Sequence, residues 1–513
     1  MNKKKYLEFI YLILIGALTS LSLPPYNYFI INFITFSLFF IFLLKKKKLV
    51  INKKTSFFYG WLFGFGYFLT NLYWISISLT FDSNFKFLIP FTIILIPTFL
   101  ASFYGLVTFF LYFFKYKNIL SIFFLFSLLF GFVEFLRGII LTGFPWNLIA
   151  FSFLNQIEIL QIMSVIGSYA FNMFCISLFI SPVIFIHKKN LRDIVVLIFF
   201  LVSPIMLYIN GSLKVNNFQN SNLVQNDYII RAVSSNIKLE RFYGETETES
   251  VLIELINISN PSPNDKILFL WPEGIIPNSS KSELIEFKYL FDQNFNENHL
   301  IGLGINSQEI QNGKKKFFNS FSIYDNKLNL IYSYDKVKLV PFGEFLPFEK
   351  VLGNLGLKSL TNNYHSYSSG LNRDIININK NKFSLKILPL ICYEIIYSGE
   401  ISKDNEFDYI INISEDGWFG NSIGPHQHYA HSIFRAIESG KYIIRSANNG
   451  ITAIINPIGK DEKKILLGKD GYIDFKEKRI AEITVFSKFG NKIFFVMILL
   501  YIFLIFSFNR KSK

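Results

Sequence analysis

The chain has 513 residues, 51% of them hydrophobic and 18% aromatic, with a mean hydropathy of +0.35 and a formal net charge of +14. That balance excludes an ordinary soluble enzyme and fits a membrane protein with a water-soluble part. The basic excess lies in short Lys clusters between apolar runs, which speaks for membrane topology and against a nucleic-acid partner. Two cysteines, Cys175 and Cys392, make neither a disulfide framework nor a CxxC metal knuckle.

The opening MNKKKYLEFIYLILIGALTSLSL has the basic and apolar regions of a signal peptide, but further apolar spans follow at once, so it reads as a retained first helix. Apolar segments run over 6–22, 27–44, 55–80, 87–114, 118–141, 159–186, 193–210 and 490–508. Each is near or above the roughly 20 residues that cross a bilayer as a helix. They predict a polytopic α-helical membrane domain of about eight transmembrane helices, with seven in 1–210 and one, with a short tail, in 488–513. Pro24-Pro25 makes the turn between the first two.

Alternate loops carry the basic residues: Lys3 to Lys5; Lys45 to Lys48 with Lys53 and Lys54; Lys115 and Lys117; Lys188, Lys189 and Arg192; Arg510, Lys511 and Lys513. The intervening loops, such as 24–27 and 81–85, carry almost none. This asymmetry predicts both termini in the cytoplasm and the large segment 211–489 outside. Glu134 and Arg137 lie three apart within a span, so they share a helix face and can pair. A structural ion pair and a lipid-headgroup contact are both open for them. Gly143, Pro145 and Trp146 are expected to end that helix near the outer surface.

Residues 211–227 read as a polar linker and 228–487 as one α/β domain. Strands are expected at 228–235, 267–271, 299–305, 317–325, 330–336, 384–392, 408–414, 442–447, 451–457 and 479–486, with helices at 247–258, 281–292 and 425–440. In FLWPE, proline stops a buried strand and leaves Glu273 at its end, where a solvated turn carboxylate is the plainer alternative. In YDKVKLVPFGEFLP, Lys336 and Lys338 alternate with apolar residues, the usual mark of a solvated basic face. A turn at Pro341 and Gly343 then leads to Glu344. The run KILPLICYE stops on Cys392 and turns polar with Tyr393 and Glu394. A lone cysteine there is either a small core residue or a thiol held rigidly at a strand end. ISEDGWFGNSIGPHQHY is a Gly-rich loop leading to a helix; His426, His428 and His431 are close together but do not match a tetrahedral zinc spacing, so no metal is assigned. Arg435 and Glu438 can pair along that helix, and RSANNG ends a strand in a turn.

A thiol, a carboxylate and a lysine at three strand ends make an acyl-transfer apparatus. Cys392 is the nucleophile and needs a base, for which Glu273 is placed. Lys336 and the backbone N–H after Cys392 would stabilise the oxyanion, with Glu344 holding Lys336. The chemistry calls for no cofactor.

The motifs WPEGIIP, YDKVKLVPFGEFLP and ICYE resemble the Glu, Lys and Cys motifs of the carbon–nitrogen hydrolase (nitrilase) superfamily. LRGIILTGFPWN, SEDGWFGNSIGPHQH and RSANNG further resemble its bacterial apolipoprotein N-acyltransferase branch, over nearly the whole chain. The resemblance implies an αββα sandwich on the periplasmic side of the inner membrane and a ping-pong reaction. Cys392 takes an acyl chain from a phospholipid, typically phosphatidylethanolamine, as a thioester. The chain then passes to the N-terminal amine of a diacylglyceryl-cysteine apolipoprotein. It also implies the triad Glu273, Lys336 and Cys392, with Glu344, Tyr393 and Glu394 in support. Two positions depart from the family pattern: Phe242 stands where a Trp is usual, after Asn236 and Ile237, and Glu415 where Asn is common. A membrane-anchored amidase that passes the acyl group to water is the alternative enzyme. A transporter or receptor leaves the Glu, Lys and Cys at strand ends unexplained.

Overall fold

The computed structural model describes residues 3–48, 52–115, 118–188, 190–244, 246–277, 279–311, 313–352, 366–380, 383–401 and 406–509. Lys117, Lys189, Arg510, Lys511 and Lys513, used above for orientation, lie outside the described residues. The chain forms two compact units. The first comprises Met1–Asn217, Tyr397–Ile401 and Thr484–Lys513, and the second Phe218–Ile396 and Ser402–Ile483.

Among the described residues, seven helical stretches are long and apolar enough to cross a membrane: Lys3–Ser22, Lys53–Thr80, Ser83–Phe113, Ile119–Ile139, Met163–Ile180, Leu191–Gln219 and Lys492–Asn509. The expected span 27–44 is the helix Ile30–Lys48, whose last turn is lysine. A helix satisfies its own backbone polar groups, so apolar side chains can cover it on every side. Close approaches are made through small residues: a Cβ on Gly16 would collide with the Phe63 carbonyl, and one on Gly66 with that of Ile13. Hydroxyls cross between helices as well, with Ser56 Oγ donating to the Thr108 carbonyl at 2.8 Å and Thr108 Oγ1 to that of Ser56 at 2.7 Å.

Glu134 and Arg137 are paired and fully buried, with Arg137 Nε donating to Glu134 Oε2 at 2.8 Å. The guanidinium lies 5.3 Å from the centre of the Phe68 ring and also donates to the Phe144 carbonyl. This is the structural ion pair. Trp146 is buried against Trp74, ring centres 5.0 Å apart.

The expected linker 211–227 is corrected. The helix Leu191–Gln219 runs through its first half and a strand starts at Leu223. Polar composition hid the helix, which is held by tertiary contacts: Lys214 Nζ donates to Ser164 Oγ at 2.6 Å, and Gly211 sits against the Glu158 carbonyl where no Cβ would fit.

Among the described residues, the second unit holds two six-stranded sheets. The first contains β1 (Leu223–Ser234), β2 (Ile267–Leu270), β3 (His299–Gln311), β4 (Lys314–Asp325) and β5 (Leu330–Asp335). The second contains β6 (Ile376–Lys380), β7 (Phe383–Ile391), β8 (Tyr409–Glu415), β9 (Tyr442–Asn448), β10 (Thr452–Ile455) and β11 (Asp461–Ile465). β12 (Gly471–Arg479) returns to the first sheet, giving the orders β12-β1-β2-β3-β4-β5 and β11-β10-β9-β8-β7-β6. The centres, β1-β2-β3 and β7-β8-β9, are parallel and the flanks antiparallel. Parallel strands buried on both faces read as continuous apolar runs, as ILFL does. Ser446 ties the sheets together, its Oγ within 2.7 Å of the Val233 carbonyl and 3.0 Å of that of Leu270. Helices Thr248–Ser259 and Lys288–Asn294 cover the first sheet around Trp271, Phe291 and Leu252, and Gly424–Ser439 covers the second. The layers are αββα, as expected.

One strand and one helix expectation are corrected, and two strands are added. The last strand is Gly471–Arg479, not 479–486, which instead leads into the short helix Val485–Phe489. β6 and β11 were not foreseen, because ININK and DEKKI are edge strands whose polar residues face water. The expected helix 281–292 is a 3₁₀ turn, Glu283–Phe287, followed by Lys288–Asn294.

Candidate active site

Glu273 lies just beyond β2, Lys336 just beyond β5 and Cys392 directly after β7. The chain thus turns out of a sheet at each of them. Lys336 is no solvated surface lysine: it is buried, its backbone N–H bonds the Asn319 carbonyl at 2.8 Å, and the strand has already ended at Asp335. Its ammonium donates to Glu273 Oε1 and to Glu344 Oε1, both at 3.0 Å. The Asn319 amide donates to the same two oxygens at 2.7 Å each. Glu344 Oε2 accepts from the Val340 N–H at 2.8 Å, within the turn expected around Pro341 and Gly343. Glu273 Oε2 accepts from the Glu415 N–H at 3.0 Å.

Cys392 is buried and takes φ of +48°, in the left-handed region. For a residue with a side chain this costs about 1–3 kcal/mol and persists only where the surroundings enforce it. Glu394 supplies part of the enforcement. Its carboxylate accepts from the Ile391 N–H at 2.8 Å on the Cys392 side. On the lysine side it accepts from the Tyr334 hydroxyl at 2.8 Å and from the Val337 and Lys338 N–H groups at 3.0 and 3.1 Å. Arg373 adds a charged donor at 3.2 Å. The expected supporting residues Glu394 and Tyr393 are both buried in the turn that follows the thiol.

The electrostatics divide the labour. Burial opposes charge on Lys336, but Glu273 and Glu344 outweigh it and raise its pKa well above the usual lysine value. It therefore stays an ammonium. Burial, reinforced by Glu273, pushes the Cys392 thiol well up against the pull of Lys336, so the resting group is a neutral thiol that needs a base. Burial also raises Glu344, though Lys336 and the Val340 N–H act in the other direction. A thiol, an adjacent carboxylate and a fixed cation can form and break an acyl thioester.

Several contacts around the site were not read from the sequence. Asn319 bridges both carboxylates from inside β4. Glu415 forms a buried ion pair with Arg241 and accepts from Asn448 Nδ2 at 2.7 Å. The Phe242 ring next to Arg241 packs on Trp418, centres 4.9 Å apart. His428, weighed above as a metal ligand, instead bridges Asp416 and the Cys392 carbonyl. Arg435 and Glu438 pair as expected, at 2.9 Å.

The catalytic unit is of the carbon–nitrogen hydrolase class: residues 258–466 match the family described as Carbon-nitrogen hydrolase. Residues 15–180 match the Apolipoprotein N-acyltransferase N-terminal domain. The chain is 32% identical to an apolipoprotein N-acyltransferase of Rickettsia prowazekii, covering 96% of both chains. It is 33% identical to that of Rickettsia bellii over 88% of each, and 28% identical to that of Rhodopseudomonas palustris over 93% of this chain and 91% of the relative. Among solved structures, a CN-hydrolase superfamily protein from Xanthomonas campestris matches 48% of this chain and 90% of its own at 15% identity and a TM-score of 0.35. The chain belongs to the apolipoprotein N-acyltransferase family, a multi-pass membrane acyltransferase, and this membership favours acyl transfer over the amidase alternative.

Proposed function

We propose that the protein N-acylates apolipoproteins through a thioester on Cys392, with a phospholipid, phosphatidylethanolamine in particular, as donor. Glu273 takes the thiol proton as the sulfur attacks the ester carbonyl. The tetrahedral oxyanion is held by the Lys336 ammonium and the Tyr393 N–H. Collapse expels the lysophospholipid alkoxide, which receives the proton from Glu273, and leaves acyl-Cys392. The N-terminal amine of a diacylglyceryl-cysteine then attacks the thioester. Glu273 accepts the amine proton and returns it to the departing thiolate, completing an amide. Glu344 and Asn319 keep Lys336 and Glu273 in register throughout.

The observation that carries this reading is the placement of one ammonium 3.0 Å from two buried carboxylates, acting electrostatically on a thiol at a left-handed position. Mass spectrometry of the intact protein after exposure to phosphatidylethanolamine tests it. An acyl mass is expected on the tryptic peptide containing Cys392 and absent in Cys392→Ser; an unmodified wild-type peptide would refute the thioester.

The alternation of basic loops further supports a catalytic unit, about 228–487, on the periplasmic side of the inner membrane with both termini cytoplasmic. Protease added to spheroplasts should cut within 228–487 while a C-terminal tag stays protected. Cleavage of the tag alone would reverse the topology.

A further inference from the structure

The turn that carries the thiol is pinned from behind by a fully buried polar chain, absent from the reaction as written above. His428, on the helix Gly424–Ser439, lies with Nε2 3.2 Å from the Cys392 carbonyl and Nδ1 2.8 Å from Asp416 Oδ1. The Cys392 carbonyl only accepts, so the bond is made by an Nε2–H; in the neutral ring that tautomer leaves Nδ1 to accept from Arg445 Nη2 at 3.2 Å. Asp416, just beyond β8, accepts from Arg445 Nη2 at 2.7 Å and from Ser414 Oγ at 2.7 Å. Arg445, on β9, is anchored in turn to Asn412 and to the Ile451 carbonyl. His428, Asp416 and Arg445 are all fully buried. A Cβ on Gly450 would collide with the Asp416 carboxylate, so the chain has no slack on that side.

The consequence follows from peptide geometry. The bond joining Cys392 to Tyr393 is planar and trans, so its C=O and N–H point in opposite directions. A hydrogen bond that fixes the Cys392 carbonyl on His428 therefore fixes the Tyr393 N–H on the far side of the same plane. We infer that His428, held by Asp416 and Arg445, is a positioning residue that aims the Tyr393 N–H at the oxyanion. It touches neither substrate nor the sulfur. The inference rests on the proposed thiol chemistry but not on the identity of the donor lipid.

Two reactions of the same sulfur separate this role from general support of the fold. Alkylation by iodoacetamide displaces iodide from carbon and forms no oxyanion. Acylation by p-nitrophenyl butyrate passes through one and releases p-nitrophenolate in a burst. His428→Asn keeps a polar side chain beside Asp416 and Arg445 but is too short to reach the Cys392 carbonyl. His428→Gln places an amide N–H near the Nε2 position. In the full-length protein in detergent, His428→Asn should slow the burst about 10-fold or more, given the 10²–10³-fold effect of removing such a donor altogether. Its alkylation rate should stay within about 2-fold of wild type, its KM should be unchanged, and His428→Gln should recover most of the burst rate. Parallel loss of both reactions in His428→Asn, an effect on KM alone, or no recovery in His428→Gln would overturn the inference. A wild-type protein that reacts with the nitrophenyl ester but forms no thioester from phospholipid would refute the donor and leave this comparison intact.

Discussion

The backbone N–H of Glu415 donates to Oε2 of Glu273 at 3.0 Å, so the end of β8 in one sheet orients a carboxylate carried by β2 in the other. Sheet packing thereby sets the direction of the carboxylate proposed as general base. The Cys392 thiol is raised first by burial and then by the Glu273 charge. Glu273→Gln removes the second cause, so the thiol pKa should fall. Iodoacetamide alkylation follows the thiolate fraction, and its pH midpoint should move to lower pH in the variant. Acyl transfer should nevertheless drop by at least about 10²-fold, because the proposed base is gone. A midpoint that moves upward, or transfer that persists, would remove Glu273 from the role assigned to it.

Lys336→Met should cost stability as well as activity. It leaves Glu273 and Glu344 buried with only Asn319 between them. Removing one partner of a buried ion pair typically costs about 3–5 kcal/mol. Lys336 lowers the Glu344 pKa in the intact site, so its loss should raise that pKa further. Between the ordinary carboxylate value and the raised one, the folded state then binds more protons than the unfolded state. Stability of the variant should therefore rise as pH falls through that window. Thermal unfolding in detergent at several pH values measures this. Adding Glu344→Gln should restore part of the lost Tm at neutral pH and none of the activity.

Glu273 was legible in the sequence because it sits where an apolar strand gives way abruptly to a proline, whereas Lys336, after the mixed strand LIYSYD, stood out only through the motif YDKVKLVPFGEFLP. The membrane helices were legible for a related reason: a bilayer imposes a minimum length of apolar chain. What escaped were residues whose partners are distant in sequence. Asn319 is one polar position in a strand, and nothing local says that its amide faces two carboxylates from β2 and the turn after β5. His428 drew notice only through its neighbours His426 and His431, whereas its partners Asp416, Arg445 and Cys392 come from three other segments. β12 was misplaced because GYIDFKEKR, an edge strand with water on one side, carries more charge than a search for β-branched runs tolerates. The helix through 211–219 escaped because it is polar, its position set by Lys214 and Gly211.

The Arg241–Glu415 pair makes a testable case of coupling between buried charges. Arg241 also donates to the Ile237 carbonyl at 3.1 Å and lies over the Phe242 ring, so it ties the turn 237–243 to β8. Arg241→Met should lower Tm sharply, since Glu415 keeps only the Asn448 amide and the Gly417 N–H. Glu415→Gln alone leaves the guanidinium underpaired. The double variant should be more stable than the sum of the single losses predicts, with a coupling of about 1–3 kcal/mol. Activity should largely survive in Glu415→Gln, because its contact with Glu273 is made by the backbone. Additive losses would show that the two side chains act independently.

In the membrane unit, the sharpest expectation concerns Gly16 and Gly66, on the facing helices Lys3–Thr19 and Lys53–Leu72. Each glycine meets a backbone carbonyl of the other helix, that of Phe63 and that of Ile13 respectively, too closely for any Cβ. Alanine normally favours a helix over glycine by about 1 kcal/mol. Here the collision is with backbone, which cannot swing aside, so separation of the helices is the only relief and overpacking of about 1–3 kcal/mol outweighs the propensity gain. Gly16→Ala and Gly66→Ala should therefore each lower the thermal unfolding midpoint in detergent, and Gly66→Leu should lower it further. The thiol lies in the other unit, so iodoacetamide labelling of Cys392 in the folded fraction should be unchanged. A midpoint equal to or above that of wild type in both alanine variants would show that the two helices do not approach as closely as these carbonyl contacts require.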